Sequence, residues 1–209
     1  MSGAARARAT DPAAVREHAA DLVDLAGSYF LGGPTPELER LLRRPRWIPG
    51  LVASGVLAAD PGGRFADPDR HAREFEALFR IPDRTRAVVP REGAHADEGG
   101  RPAAAACRLL YARAGYDMAP FRHLGPDHIG HQLRFAAALL RREAACLERH
   151  DDGARARVRS WIEGFAEEHG AWWSRFAEEA LRRARSRQVR VMAALAGRVQ
   201  LLLRDRSAL

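Results

Sequence analysis

The densest group of side chains able to do chemistry lies at residues 122–132, where Arg122, His123, Asp127, His128, His131 and Gln132 fall within eleven positions. On a helix starting at Pro126, Asp127 and His131 are four apart and His128 and His131 three apart, so three ligand-type side chains share one edge. The spacing lacks the two-His-plus-Glu helix of zinc proteases and any Cys pair, so no metal site is assigned. Asp127 instead reads as the helix cap, accepting backbone N–H bonds, while His128 packs with a hydrogen bond from its ring.

Other reactive arrangements are missing from the sequence. No Ser sits in a nucleophile elbow, and no glycine loop followed by Lys could cradle phosphates. Cys107 and Cys146 are the only cysteines, each within an Ala/Leu helical pattern, which predicts buried thiols in a reducing cytoplasm. Trp161, Trp172 and Trp173 read as core or interface aromatics. An enzyme is not expected, and neither is a cofactor.

The elements that position these residues read as helices throughout. Asp11-Pro12, Thr35-Pro36 and Asp67-Pro68 each pair a capping side chain with a first-turn proline. They predict helices running to Gly32-Gly33, to Leu42 and to a stop before Pro82. A short apolar piece covers Leu51 to Ala59. Residues 81–100, with two prolines and three glycines, read as a long irregular connection of the kind that is commonly functional. Helix resumes at Arg101-Pro102 and ends at Gly115. A second connection, 116–125, leads into the longest apolar face, from Ile129 to Leu147, followed by segments Ala154 to Glu168, Trp172 to about Arg185, and Val189 to Leu203. No strand-length alternation occurs, so the fold is all-α, a single globular domain of eight or nine helices. The expected organisation is a disordered N-terminus (1–13), an N-terminal lobe (about 14–115), a hinge (116–125) and a C-terminal lobe (126–205).

Charge narrows the partners. The chain has 209 residues and a formal charge of +7, with every basic Lys/Arg position an Arg and no Lys or Asn at all, the mark of GC-rich coding. The first 100 residues hold 14 Arg and 15 acidic residues and the rest 20 and 12, with Arg largely interleaved with Glu as on solvated helix faces. A tetracycline-repressor-like regulator is the main alternative, but its first 50 residues should hold a helix-turn-helix, which the glycines and prolines at 32–36, 45 and 49 interrupt. LVASGVLAADPGGRF resembles the end of a winged helix, yet the upstream prolines leave no room for a recognition helix. Nucleic acid and stable membrane insertion are therefore not expected. The N-terminus, with Arg but no apolar core, does not read as a secretory signal.

Three segments are more specific: LFRIPDRTRAVVPREGAHAD, YARAGYDMAPFRHLGPDHIGHQLRFAAALLRREA and EEHGAWWSRF. Together they resemble the TorD/DmsD family of molybdoenzyme maturation chaperones, related to the NarJ type, above all through Pro126-Asp127-His128, Ile129-Gly130, Gln132-Leu133 and Phe135 after Gly115-Tyr116. The resemblance spans about residues 14–203. It implies an all-helical cytoplasmic chaperone for the apo-form of a molybdopterin oxidoreductase subunit. Such a chaperone binds the subunit's twin-arginine signal peptide, aids cofactor insertion and delays export. It also implies monomers with domain-swapped dimers, for which 116–125 is the hinge. Its peptide-binding region carries over to Leu78, Phe79, Pro90, Arg91, Glu92, Tyr111, Pro126, Asp127 and His128. Arg91 stands where the family often has an aromatic, Gly93 and His95 where it tends to have Ser and Tyr, and an acidic residue usual before the Pro-Asp-His triplet is missing.

Overall fold

In the computed structural model, the described residues are 11–81, 85, 87–95 and 103–204. Eight α-helices are found among them: α1 (Pro12–Gly32), α2 (Pro36–Leu42), α3 (Trp47–Ala53), α4 (Pro68–Phe79), α5 (Ala103–Ala114), α6 (Ile129–Glu148), α7 (Asp152–Arg183) and α8 (Arg187–Arg204). No strand is present among the described residues; the only ladder-type pairs there are two isolated bridges, Arg64 with Ser186 and Arg91 with His128. The fold is an all-α single domain. The N-terminal 1–10, most of the start of the 81–100 connection, its end, the Arg101-Pro102 helix start and the C-terminal boundary near 205 lie outside the described residues.

The capping signals act as read. Asp11 Oδ1 accepts from Ala13 N–H at 3.1 Å, Thr35 Oγ1 from Leu38 N–H at 3.2 Å and Asp67 Oδ1 from Arg70 N–H at 2.8 Å, each followed by a first-turn proline. These bonds satisfy N–H groups that have no partner within their own helix. Two boundaries differ from expectation. Helix α3 starts at Trp47, upstream of the predicted apolar piece, because Pro49 falls in its first turn, where a missing N–H costs nothing. The two segments predicted for 154–185 are one continuous helix of 32 residues. Gly164 and Gly170 lie inside it without breaking it, and the side chain of Gln200 on α8 packs directly over Gly170.

Long antiparallel contacts of α1 with α6 and of α7 with α8 build the core, with α6 also packed on α7. The α1–α6 crossing is set by two glycines. A Cβ on Gly130 would stand 2.8 Å from the Gly27 carbonyl and one on Gly27 would stand 2.9 Å from the Gly130 carbonyl, so backbone meets backbone there. Aromatic rings fill the space between α1, α4 and α7: Phe30 meets Phe79 and Phe176 edge-on, both at 5.3 Å between centroids. A buried polar network ties α1, α2, α4 and α8. Glu39 accepts from Gln188 Nε2 at 3.2 Å and pairs with His71 Nδ1, while His71 Nε2 meets Tyr29 Oη at 3.0 Å.

Candidate functional site

The backbone around the turn Pro126-Asp127-His128 is tied down by long-range hydrogen bonds. Tyr111 Oη donates to the Pro126 carbonyl at 2.9 Å, Glu92 N–H to the Asp127 carbonyl at 3.0 Å, and Ile129 N–H to the Pro90 carbonyl at 2.9 Å. Segment 90–92 is thereby laced to the turn in an antiparallel bridge. The cap of α6 is a correction to the expectation from sequence. His128, not Asp127, caps it, its Nδ1 accepting from Gly130 N–H at 3.1 Å. Asp127 is engaged elsewhere. Its Oδ1 accepts from Arg91 Nε (3.2 Å) and Nη2 (2.9 Å), and its Oδ2 from Gly93 N–H (3.3 Å).

A cap that accepts through Nδ1 needs an unprotonated ring, and the surroundings enforce one. Burial, followed by the repulsion of His131, Arg91 and Arg80, outweighs the attraction of Asp127 and lowers the His128 pKa to about 3. The positive end of the helix dipole acts in the same direction. His131, which bonds through Nε2 to the Phe121 carbonyl at 2.9 Å, is also lowered, chiefly by burial.

In front of this turn opens a cleft of about 450 Å³ lined by Phe30, Phe79, Arg80, Pro90, Arg91, His123, Leu124 and His128. Four of the nine residues expected to bind client, Phe79, Pro90, Arg91 and His128, therefore meet at one surface. Pro126, Asp127 and Tyr111 stand behind it as supports. Leu78 does not join them: it faces a different depression, with Arg70, Glu74 and Arg183, and its carbonyl accepts from Val88 N–H at 2.6 Å.

Glu92 turns inward, into a polar cluster that sequence reasoning missed. Its Oε2 accepts from Gln132 Nε2 at 2.6 Å and from His169 Nδ1 at 2.7 Å, and His169 Nε2 lies 3.9 Å from Cys107 Sγ. Gln132 has its orientation fixed by chemistry. The indole N–H groups of Trp172 and Trp173 can only donate, and both point at its Oε1 at 2.7 Å, so its NH2 must face Glu92 and Cys107 Sγ, the latter at 3.3 Å. Burial alone lowers His169, but its bonds to Cys107 and Glu92 prevail and push its pKa up to about 10. The residues come from the 87–95 segment, α5, α6 and α7, so no local spacing could have announced them. The adjacency Trp172-Trp173 with Gln132 on a facing helix was the only signal.

The described residues form an all-helical domain whose cleft opens in front of a turn tied by long-range hydrogen bonds. Residues 56–178 match the family described as nitrate reductase delta subunit, and the chain belongs to that family. This is a family of non-catalytic, NarJ-type chaperones, and the chain's role is in molybdoenzyme maturation. No curated protein and no solved structure matches the chain significantly. No helix among the described residues is long and apolar enough to cross a membrane.

Proposed function

We propose that the chain is a cytoplasmic chaperone of the TorD/DmsD kind that holds the apo-form of a molybdopterin-dependent oxidoreductase catalytic subunit by its twin-arginine signal peptide, aiding cofactor insertion and proofreading before export. The observation that carries the reading is the cleft itself. Pro90 and Leu124, backed by the buried rings of Phe30 and Phe79, offer apolar surface to the hydrophobic centre of such a peptide, and Asp127, held in the Pro126–His128 turn behind the cleft, is a carboxylate for its basic start. Arg80, Arg91 and His123 on the rim oppose a basic peptide, so affinity comes from apolar burial and this one carboxylate rather than from long-range attraction.

The test is calorimetric titration of the purified chain with synthetic signal peptides of the molybdenum oxidoreductases of its own genome, with a peptide of scrambled apolar centre as control. Saturable binding that Phe79→Ala weakens by about tenfold or more, with helicity unchanged, is expected. Equal titration curves for Phe79→Ala and wild type rule the cleft out. The 116–125 connection between α5 and α6 serves in this reading as the hinge for helix exchange between two copies, and light scattering that detects only monomer at every concentration contradicts that part.

A further inference from the structure

The geometry points to a binding site for a divalent cation of the zinc class, formed by Glu92, Cys107 and His169 beside the client cleft. A carboxylate oxygen, a thiol sulfur and an imidazole nitrogen, one from each residue, all lie within 4.8 Å of one another. They come from three separate elements, the 3-10 turn Glu92–Ala94, α5 and α7, so their convergence is a product of the fold and not of local spacing.

Chemistry favours a cation at their meeting point. The Gln132 amide nitrogen lies 2.6 Å from Glu92 Oε2 and 3.3 Å from Cys107 Sγ, so both of these acceptors face a place where a positive pole already sits. Binding a metal would release the thiol proton of Cys107 and the imidazolium proton of His169, so that carboxylate and thiolate offset a dication in a buried assembly without net charge. Thiolate plus imidazole plus carboxylate is a borderline-soft set, which suits Zn2+ and disfavours Mg2+ or Ca2+. The span is also right. Bonds of about 2.3 Å to sulfur and about 2.0 Å to nitrogen at a tetrahedral angle separate the two ligands by about 3.5 Å, close to the 3.9 Å between Cys107 Sγ and His169 Nε2; Glu92, whose Oε2 accepts from Nδ1 at the other edge of the ring, turns from it to join them. Glu168, with a carboxylate oxygen 4.0 Å from His169 Nε2 and a side chain half in solvent, is near enough to complete the shell.

Around the donors stands an outer shell that fixes them, namely Gln132 held by two indole N–H groups, as metal sites require. An ion here fastens segment 87–95 to α5 and α7. That segment also carries Arg91, so the metal would stiffen one wall of the cleft. This inference is independent of which client the cleft holds.

Metal content after zinc loading and competition with a chromophoric chelator tests it, together with the optical spectrum of the cobalt-loaded chain. One tightly held Zn2+ per chain and a thiolate-to-cobalt charge-transfer band are expected. Cys107→Ala and His169→Gln should weaken zinc by more than about 100-fold and abolish the band, while Cys146→Ala, which removes a thiol outside the cluster, should change neither. Zinc held equally well by Cys107→Ala overturns the site. The wild-type cobalt spectrum decides without any variant: absence of the charge-transfer band overturns the assignment.

Discussion

Arg91 grips Asp127 through both Nε and Nη2, at 3.2 and 2.9 Å, so the buried carboxylate behind the cleft already holds a guanidinium of its own chain. Arg91 is half exposed and Asp127 almost fully buried, so the arginine is the partner that can leave. A client arginine that reads Asp127 must displace it. Arg91→Gln should therefore tighten a twin-arginine peptide by about two- to fivefold, the size expected for a half-exposed ion pair. Calorimetry checks this, and unchanged or weaker binding shows that Asp127 is not read by the client.

Stability should fall as the medium is acidified through the histidine range, and His128 should be a main cause. Its folded pKa is about 3 against an ordinary 6.5, so below pH 6.5 the unfolded chain takes up a proton that the native cap refuses. The stability is complete above pH 6.5 and is lost progressively toward pH 3, at about 1.4 kcal/mol per pH unit. Asp127, Arg91, Arg80 and His131 are the charged and titratable groups that face the ring. His131 adds to the slope in the same direction, while the stabilisation from His169, whose pKa is raised rather than lowered, is complete below pH 6.5 and is lost only as pH rises toward 10. His128→Asn keeps a good cap without a titrating group, so urea unfolding between pH 4.5 and 6.5 should show a shallower slope than wild type.

The helix starts at Pro12, Pro36 and Pro68 were legible because a cap is decided within four residues. The cap of α6 was misread because two long-range donors, Arg91 and Gly93 N–H, claim Asp127 and leave the role to His128. Similarly, His169-Gly170 reads locally as a break, yet α8 lies along it and the helix passes straight through. Phe79, Pro90, Arg91 and His128 line one cleft, whereas Glu92 answers to His169, 77 residues away, and Leu78 faces a different depression. Local chemistry carries the elements, and only packing decides which way a side chain turns.

The α1–α6 crossing should tolerate no side chain at its centre. A Cβ on Gly130 meets the Gly27 carbonyl at 2.8 Å and the Leu31 side chain at 2.5 Å, and backbone cannot move aside as a rotamer can. Gly130→Ala should cost about 1–3 kcal/mol and displace the start of α6, whereas Gly164→Ala, with nothing within 4 Å, should be neutral or slightly stabilising. Thermal unfolding of the two variants side by side checks the contrast, and equal effects would show that the helices can separate at little cost.

Gln132 should resist even its closest substitutes, because the site asks for an acceptor at one end and a donor at the other. Trp172 and Trp173 both donate to its oxygen, and its nitrogen donates to Glu92 and Cys107. Gln132→Leu strands two buried indole N–H groups, each costing about 1–3 kcal/mol. Gln132→Glu keeps the indole bonds but turns its second oxygen onto the Glu92 carboxylate, and two like charges at hydrogen-bond range repel. The two variants should therefore fail differently. The leucine variant lowers the denaturation midpoint with segment 87–95 still seated; the glutamate variant releases that segment first, since Glu92 is its inner anchor. Limited proteolysis within 87–95 under native conditions, faster for Gln132→Glu than for Gln132→Leu at matched stability, is the expected result. Equal cleavage would mean that the Arg91–Asp127 pair, not Glu92, keeps the segment in place.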